Sequence, residues 1–134
     1  MKDMKMQPIG LVLLFLLVTM LSTMTPLSVS AGGALDGKTF TAFLDGEDDV
    51  LTFQDSTFHS LSCDEWGFGT GEYTTEEQGD SISFEVKTTS ENDGSLVWKG
   101  TVRGDTIKGS YLWTKKGWFG TKTKTKNFEG TIKN

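Results

Sequence analysis

The sequence predicts an all-β protein whose strands run antiparallel and close into a small barrel. Beyond the first 31 residues, apolar side chains recur at every second position, which is the pattern of half-buried strands. Short breaks containing Gly, Asp or Asn separate these alternating runs, as hairpin turns do. No helical segment is available to carry a parallel crossover, so the strands are expected to follow one another as a meander.

About eight runs are expected to form strands. The clearest alternation places Ile82, Phe84 and Val86 on one face, and Tyr111 and Trp113 share a face in a later run. Eight short antiparallel strands favour closure, because closure removes the unpaired edges of a sheet. A two-sheet sandwich is the alternative arrangement. The predicted strands cover residues 38–44, 50–55, 56–63, 71–76, 80–87, 95–102 and 106–114, and a last run that contains Phe128, Gly130 and Ile132.

Residues 1–31 have the organisation of a secretory signal peptide. Two lysines precede an apolar run over residues 9–21, and small residues lead to a predicted cleavage after Ala31. A permanent anchor would need roughly 20 uninterrupted apolar residues, whereas polar residues interrupt this run from Ser22 onward. We therefore expect a periplasmic or secreted mature chain, residues 32–134, that forms one barrel domain, is monomeric and does not span a membrane.

The charge of the chain changes sign along its length. Residues 32–95 contain 15 acidic residues against two lysines, a net charge of −13, whereas residues 96–134 carry a net charge of +7. The acidic early strands and basic late strands would attract one another as the sheet closes. Alternatively, the late strands form a basic surface for an anionic partner. Because the chain is acidic overall, no nucleic-acid partner is expected.

The polar residues that could carry chemistry have ordinary structural explanations. Cys63 and His59 are the only cysteine and histidine, and four residues along a strand separate their Cα atoms by roughly 13 Å, too far for a thiol–imidazole pair. We predict a buried, core-type Cys63. The acidic run at residues 45–49 lacks the spacing of an EF-hand and is predicted to be a solvated turn. No catalytic residue, metal site or cofactor is predicted, although two carboxylates meeting across the barrel would reopen the question of catalysis.

Aromatic residues are the strongest indication of a binding role. Residues 67–71 read as a glycine-rich corner in which Phe68 plugs the core, since no helix follows to make a phosphate loop. Elsewhere, aromatic side chains either fill a small barrel or line a ligand cavity. Trp66 and the Trp118-Phe119 pair fall in expected loops, where they would cap the barrel mouth or meet a partner. The candidate ligand-binding residues are Trp66, Trp98, Tyr111, Trp113 and Trp118.

The lysines near the C-terminus are the candidate surface for an anionic partner. In strand phase, Lys122, Lys124 and Lys126 share parity with the inward-facing Phe128. A bulge near Asn127 would turn the lysines to water, and this is the predicted arrangement because inward charges without partners are costly. Without a bulge, the lysines would form an anion-attracting rim. The full candidate set is Lys115, Lys116, Lys122, Lys124 and Lys126.

Three stretches resemble a known family: LDGKTF (35–40), TFHSLSCDEWGFGTGEYT (57–74) and LVWKGTVRGDTIKGSYLW (96–113). They are similar to a family of uncharacterised small exported bacterial proteins, and the resemblance implies export and a lipocalin-like (calycin-type) β-barrel but no activity. The sequence therefore favours a non-catalytic protein that binds a small apolar or amphiphilic ligand in or at the mouth of a barrel. The alternative is a surface module that contacts an anionic envelope component or a protein through the basic C-terminal strands.

Overall fold

The structure is a computed structural model that describes the backbone of residues 28–31 and residues 33–134. The predicted signal peptide lies outside these residues except for its last four, and no described helix is long and apolar enough to cross a bilayer. The strands are β1 Ser28–Ala31, β2 Thr39–Leu44, β3 Glu47–Gln54, β4 Thr57–Ser60, β5 Thr70–Gln78, β6 Ser81–Ser90, β7 Gly94–Arg103, β8 Thr106–Gly117 and β9 Gly120–Ile132, and a 3₁₀ helix, Leu61–Trp66, lies between β4 and β5.

Strands β2 to β9 form a closed antiparallel barrel of eight strands. Each strand pairs with its sequence neighbour, and β9 returns to β2 through the pairs Phe40↔Ile132 to Leu44↔Phe128. The predicted up-and-down barrel is therefore confirmed, and the sandwich alternative is wrong. Strand β1 lies outside this ring, where it pairs with the C-terminal half of β5 from Ser28↔Glu77 to Ala31↔Thr74.

The barrel interior is filled with aromatic side chains. Phe53 lies at its centre, with ring centroids at 6.2 Å from Phe40, 5.2 Å from Phe58, 5.0 Å from Tyr73 and 5.1 Å from Phe84. All five rings are buried. Edge-to-face and tilted contacts at these distances add to the stabilisation from apolar burial. The interior is therefore a packed core, as expected for a barrel of this small size.

One end of the barrel is closed by the segment that precedes β2. Leu35 is fully buried there, and the hydroxyl of Tyr73 accepts hydrogen bonds from the backbone N–H of Gly33 (2.9 Å) and of Leu35 (3.1 Å). The same hydroxyl donates to Asp36 Oδ1 at 2.7 Å, and Asp36 accepts from the backbone N–H of Ser56. Burial raises the pKa of Tyr73, so the phenol remains a donor to Asp36. These contacts hold the turn across the barrel end.

Two inward-facing glycines relieve crowding where strands coil around the core. A Cβ atom on Gly100 would lie 2.8 Å from the Phe84 ring, and one on Gly130 would overlap the carbonyl oxygen of Thr41. Each glycine follows an aromatic residue by two positions, in the related stretches WKGTV and FEGTI. The repeated pattern thus has a packing role at both sites.

The strand predicted over residues 56–63 ends earlier than expected. Strand β4 stops at Ser60, and the next six residues form the 3₁₀ helix. The buried carboxylate of Asp49 explains this, because it accepts hydrogen bonds from the Ser60 hydroxyl and from the backbone N–H of Ser62 at 2.8 Å. Asp49 is therefore not part of a solvated acidic turn. It faces the barrel interior from β3. Because a buried carboxylate requires hydrogen-bond donors, the chain after Ser60 leaves the strand and places the N–H of Ser62 beside Asp49.

Candidate functional site

The end of the barrel opposite Leu35 carries a cleft of about 400 Å³. The turns β2–β3 and β6–β7 meet at this end together with the 3₁₀ helix, and the β8–β9 hairpin extends past it, because alternate turns of an up-and-down meander lie on the same side. The floor is apolar and aromatic, and the rim is charged. Leu44, Phe68, Leu96, Tyr111, Trp113 and Trp66 supply the apolar surface, and Asp45, Glu47, Glu65, Asp93, Lys124 and Lys126 supply the charges, with Ser62 and Cys63 in one wall.

Three of the five predicted ligand-binding residues line this cleft. Tyr111 and Trp113 extend from β8, and Trp66 ends the 3₁₀ helix at the rim with 55% of its surface exposed. Trp98 is fully buried below the cleft, where its ring lies 4.7 Å from Tyr111, so it supports the floor and does not line it. Trp118 lies outside the cleft, at the tip of the β8–β9 hairpin.

The aromatic floor is held in position by hydrogen bonding and packing. The indole N–H of Trp113 donates to the carbonyl oxygen of Asp93 at 2.7 Å, which joins β8 to the β6–β7 turn. Phe68 is buried just after the 3₁₀ helix, as the sequence predicts for the glycine-rich corner. Burial raises the pKa of Tyr111, so its hydroxyl is neutral over the physiological range. The cleft thus presents rigid rings with a polar hydroxyl at their edge.

The lysines of β9 continue the inner face of the barrel. The pairing of β8 with β9 is uninterrupted from Thr106↔Thr131 to Gly117↔Gly120, so the bulge predicted near Asn127 is absent and that prediction is wrong. Lys126 faces Tyr111, Lys124 faces Trp113, and Lys122 faces Lys115. The lysines avoid the cost of burial because the two strands extend past the barrel end, where most of these side chains remain in water.

Two lysines of the β8–β9 hairpin have acidic partners on the turns of the neighbouring strands. Lys126 Nζ lies 2.6 Å from Asp45 Oδ2, and Lys115 Nζ lies 3.3 Å from Asp93 Oδ1. The hydrogen bond between Lys126 and Asp45 lowers the pKa of Asp45 and raises the pKa of Lys126. Within residues 33–134, neither Lys122 nor Lys124 has a carboxylate at ion-pair distance. The rim therefore retains unneutralised positive charge on its β9 side.

Cys63 lies at the boundary between the core and the cleft. It is half-buried, belongs to the 3₁₀ helix, and packs against the core while it lines the cleft wall. Burial raises the pKa of its thiol, which opposes nucleophilic reactivity. His59 is hydrogen-bonded to Asp64, with 2.7 Å between Nε2 and Oδ1. The residues 33–134 contain no cluster of three or more His, Cys, Asp and Glu side chains placed to hold a metal ion.

The opposite charges of the early and late strands meet on the outer surface. Glu85 of β6 lies opposite Lys99 of β7 in the strand register, and Arg103 Nε at the end of β7 lies 3.7 Å from Asp80 Oδ1 beside β6. Such cross-strand pairs contribute a few tenths of a kcal/mol each, about 0.2–1 kcal/mol. The charge asymmetry of the sequence thus partly cancels as the barrel closes, whereas the β8–β9 hairpin beyond the barrel keeps its positive charge.

Several lining residues do not stand out in the sequence. Leu44, Leu96 and Cys63 read as ordinary core positions, and Asp93 reads as a turn residue. The available signal was topological, because in a meander the β2–β3, β4–β5, β6–β7 and β8–β9 connections all lie at one end. Grouping the residues of those four connections would have placed Asp45, Trp66 and Asp93 around one opening.

The chain matches no protein-family model, no curated protein and no solved structure. The closed barrel of eight antiparallel strands is compatible with the lipocalin-like barrel that the sequence resembles, and with a binding role. The fold class is therefore established from the structure of the chain itself.

Proposed function

We propose that this protein binds a small amphiphile with an anionic head group at the open end of its barrel. The observation that carries the proposal is the placement of an aromatic floor directly beside Lys124, which has no carboxylate at ion-pair distance within residues 33–134. Lys124 lies opposite Trp113 in the β8–β9 register, and both line the cleft. A volume of about 400 Å³ is within the range of small-molecule sites, which also combine apolar walls with few polar groups.

The filled interior sets the depth of binding. Trp98 and Phe58 are fully buried below Tyr111, so the apolar part of a ligand meets solid packing at the floor of the cleft. The ligand therefore sits across the mouth, in contact with Phe68, Leu96 and Trp113. This geometry suits a short alkyl chain or a ring system and is unsuited to a long chain threaded into the barrel.

The charged rim orients the head group. Lys124 and Lys126 lie on the β9 side of the cleft, and Glu47, Glu65 and Asp93 lie on the other sides. An anionic head group is attracted to the first side and repelled by the others, whereas a cationic one would gain little from the lysines. Asp45 already neutralises much of the charge of Lys126, so Lys124 is the main contact for the anion.

The proposal is tested with three amphiphiles that share a ten-carbon chain and differ in charge: decanoate, decanol and decyltrimethylammonium. Each is titrated below its micelle concentration while tryptophan emission is recorded, since Trp66 and Trp113 line the cleft. Decanoate should bind most tightly. Lys124→Gln should weaken decanoate binding about fivefold, the contribution of a solvent-exposed ion pair of roughly 1 kcal/mol.

Two matched variants serve as controls. Lys116→Gln removes a lysine that lies on the outer face of the hairpin, and Phe43→Ala removes an exposed ring on the outer face of β2. Neither should alter the decanoate affinity, whereas Trp66→Ala at the rim should reduce it. Equal affinity for decanoate and decyltrimethylammonium, or unchanged emission with all three amphiphiles, would contradict the proposal.

A further inference from the structure

We infer that the tip of the β8–β9 hairpin docks on an anionic lipid bilayer, with Trp118 and Phe119 in the interface and the surrounding lysines on the head groups. This inference goes beyond ligand binding in the cleft and does not depend on it, because it uses a different part of the molecule. Three observations support it: the projection of the hairpin, the chemistry of its turn and its charge.

The hairpin projects past the rest of the barrel. Strand β7 follows β8 only as far as Ser95↔Thr114, and β2 follows β9 only from Leu44↔Phe128. Residues 115–117 and 120–122 therefore pair only with each other, and residues 123–127 pair with the part of β8 that β7 also contacts. A two-stranded ribbon without a third strand gains little from packing, so its end is not shaped by the core.

The turn at the tip breaks the pattern of the other turns. Trp118 and Phe119 are fully exposed, at 99% and 104% of their reference surfaces. Two-residue turns favour Gly, Asn and Asp for conformational reasons, and aromatic residues bring no such advantage. The other described two-residue turns between strands follow the rule, with Asp45-Gly46, Asp55-Ser56, Gly79-Asp80 and Gly104-Asp105. Two adjacent exposed rings at the tip therefore serve a contact outside the molecule.

The charge of the hairpin is uniformly positive. From Thr106 to Phe128 the chain contains six lysines and no acidic residue. Lys115 and Lys122 lie directly opposite each other on one face, and Lys115 is paired with Asp93 at 3.3 Å, whereas Lys122 has no carboxylate at ion-pair distance within residues 33–134. Lys116 lies on the other face, so lysines flank the two rings on both sides of the ribbon. An anionic surface would attract the charges of Lys116 and Lys122.

A bilayer fits this tip better than a protein surface does. A stable protein interface buries about 800 Å² on each partner around a central patch, whereas this tip is a narrow ridge of two side chains. Aromatic rings are favoured at the membrane–water interface, and each lysine near an anionic leaflet adds to the attraction. The cleft opens at the same end of the barrel, so a docked molecule would also face the bilayer with its cleft.

The test uses vesicles of equal parts phosphatidylcholine and phosphatidylglycerol whose acyl chains carry bromine, which quenches tryptophan only at contact. The full chain and its Trp118→Phe variant are compared, and the difference between their spectra isolates the emission of Trp118. This emission should shift to shorter wavelength and be quenched by the anionic vesicles. High salt and vesicles of phosphatidylcholine alone should abolish both effects, because charge attraction is screened or absent. Any change in emission that residues 1–31 cause is the same in both chains and is removed when the two spectra are subtracted.

Two pairs of variants separate the tip from the rest of the surface. Lys116→Gln combined with Lys122→Gln should lower the partition constant of the protein onto the anionic vesicles about 30-fold. The control combination, Lys87→Gln with Lys99→Gln, removes two exposed lysines on β6 and β7 and should have no effect. Phe119→Ala should reduce the quenching of Trp118, and Phe43→Ala should not. Equal quenching in the tip and control variants would overturn the inference. So would unquenched Trp118 on anionic vesicles, as expected if the tip instead meets a protein.

Discussion

At the scale of single residues, Cys63 is placed where it can report on the cleft. Its thiol is half-buried and lines the cleft wall near Tyr111 and Asp49, whose charge adds to the effect of burial. Burial disfavours the thiolate and thereby raises the pKa. Only the deprotonated thiolate is reactive, so the native fold protects this residue at neutral pH.

The raised pKa of Cys63 predicts slow alkylation of the folded protein. At pH 8, iodoacetamide should modify the native chain more slowly than the urea-unfolded chain, because the thiolate fraction is smaller in the fold. The alkylation rate of the native chain should begin to rise at a higher pH than the alkylation rate of the unfolded chain does. The raised pKa also makes stability depend on pH. The protonated thiol contributes fully to stability below the pKa that it has in the unfolded chain, and this contribution declines as the pH rises through the pKa that it has in the folded chain. Saturating decanoate should slow the reaction further if the ligand covers the cleft wall. Equal rates in the native and unfolded chains would contradict this assignment.

At the scale of secondary-structure elements, the 3₁₀ helix is the element that shapes the cleft. It brings Cys63 and Trp66 to the rim and is followed by Gly67, which caps it in a left-handed conformation with φ 81°. Its start is set by Asp49, which accepts from the backbone N–H groups of Val50 and Ser62 and from the Ser60 hydroxyl. One carboxylate on β3 thus determines where β4 ends and the wall of the cleft begins.

Asp49→Ala is expected to destabilise the protein by about 2–4 kcal/mol. The substitution removes hydrogen bonds to a charged group and leaves the buried Ser60 hydroxyl without its acceptor. The midpoint of urea unfolding measures the effect. Asp48→Ala is the matched control, since Asp48 is the exposed neighbour on the same strand and should change stability by less than about 0.5 kcal/mol. Similar midpoints for the two variants would show that Asp49 does not organise the 3₁₀ helix.

At the scale of the whole molecule, barrel closure depends on β2 and β9 and not on β1. The ring of eight strands is complete without Ser28–Ala31, and the closed end is built from Gly33, Leu35 and Asp36. Closure joins residues from both ends of the described barrel, so the acidic first half and the basic second half become neighbours in space. The same closure brings four connections together at the open end.

A chain that starts at residue 32 is therefore expected to fold into the same barrel. Its far-UV circular dichroism should remain that of an antiparallel sheet, and its unfolding should stay a single cooperative transition. A chain that starts at residue 39 provides the contrast, because it lacks Leu35 and Asp36 and leaves Tyr73 without its partners. Loss of cooperative unfolding in the chain from residue 32 would show that β1 is required for closure.

The predicted strands and the barrel follow from local information. Alternation of apolar residues identifies the inner face of β6, β7 and β8, and turn residues locate the hairpins, because both signals act over a few neighbouring positions. The prediction failed at residues 61–63, where a long-range hydrogen bond to Asp49 overrides the alternation. It also failed at Lys122–Lys126, since the sequence does not state how far two strands extend beyond a barrel and hence whether inward-facing lysines are buried.

The sequence by itself determined the fold class, the inner face of most strands and the presence of exposed aromatic and basic residues near the C-terminus. Only the tertiary structure decided which of these residues meet. It placed Trp98 under the floor, Trp66 and Trp113 around the cleft, and Trp118 at a projecting tip. The physical reason is that alternation and turn chemistry are properties of adjacent residues, whereas a cleft arises from strand length, register and closure. Those features depend on contacts between residues far apart in the chain.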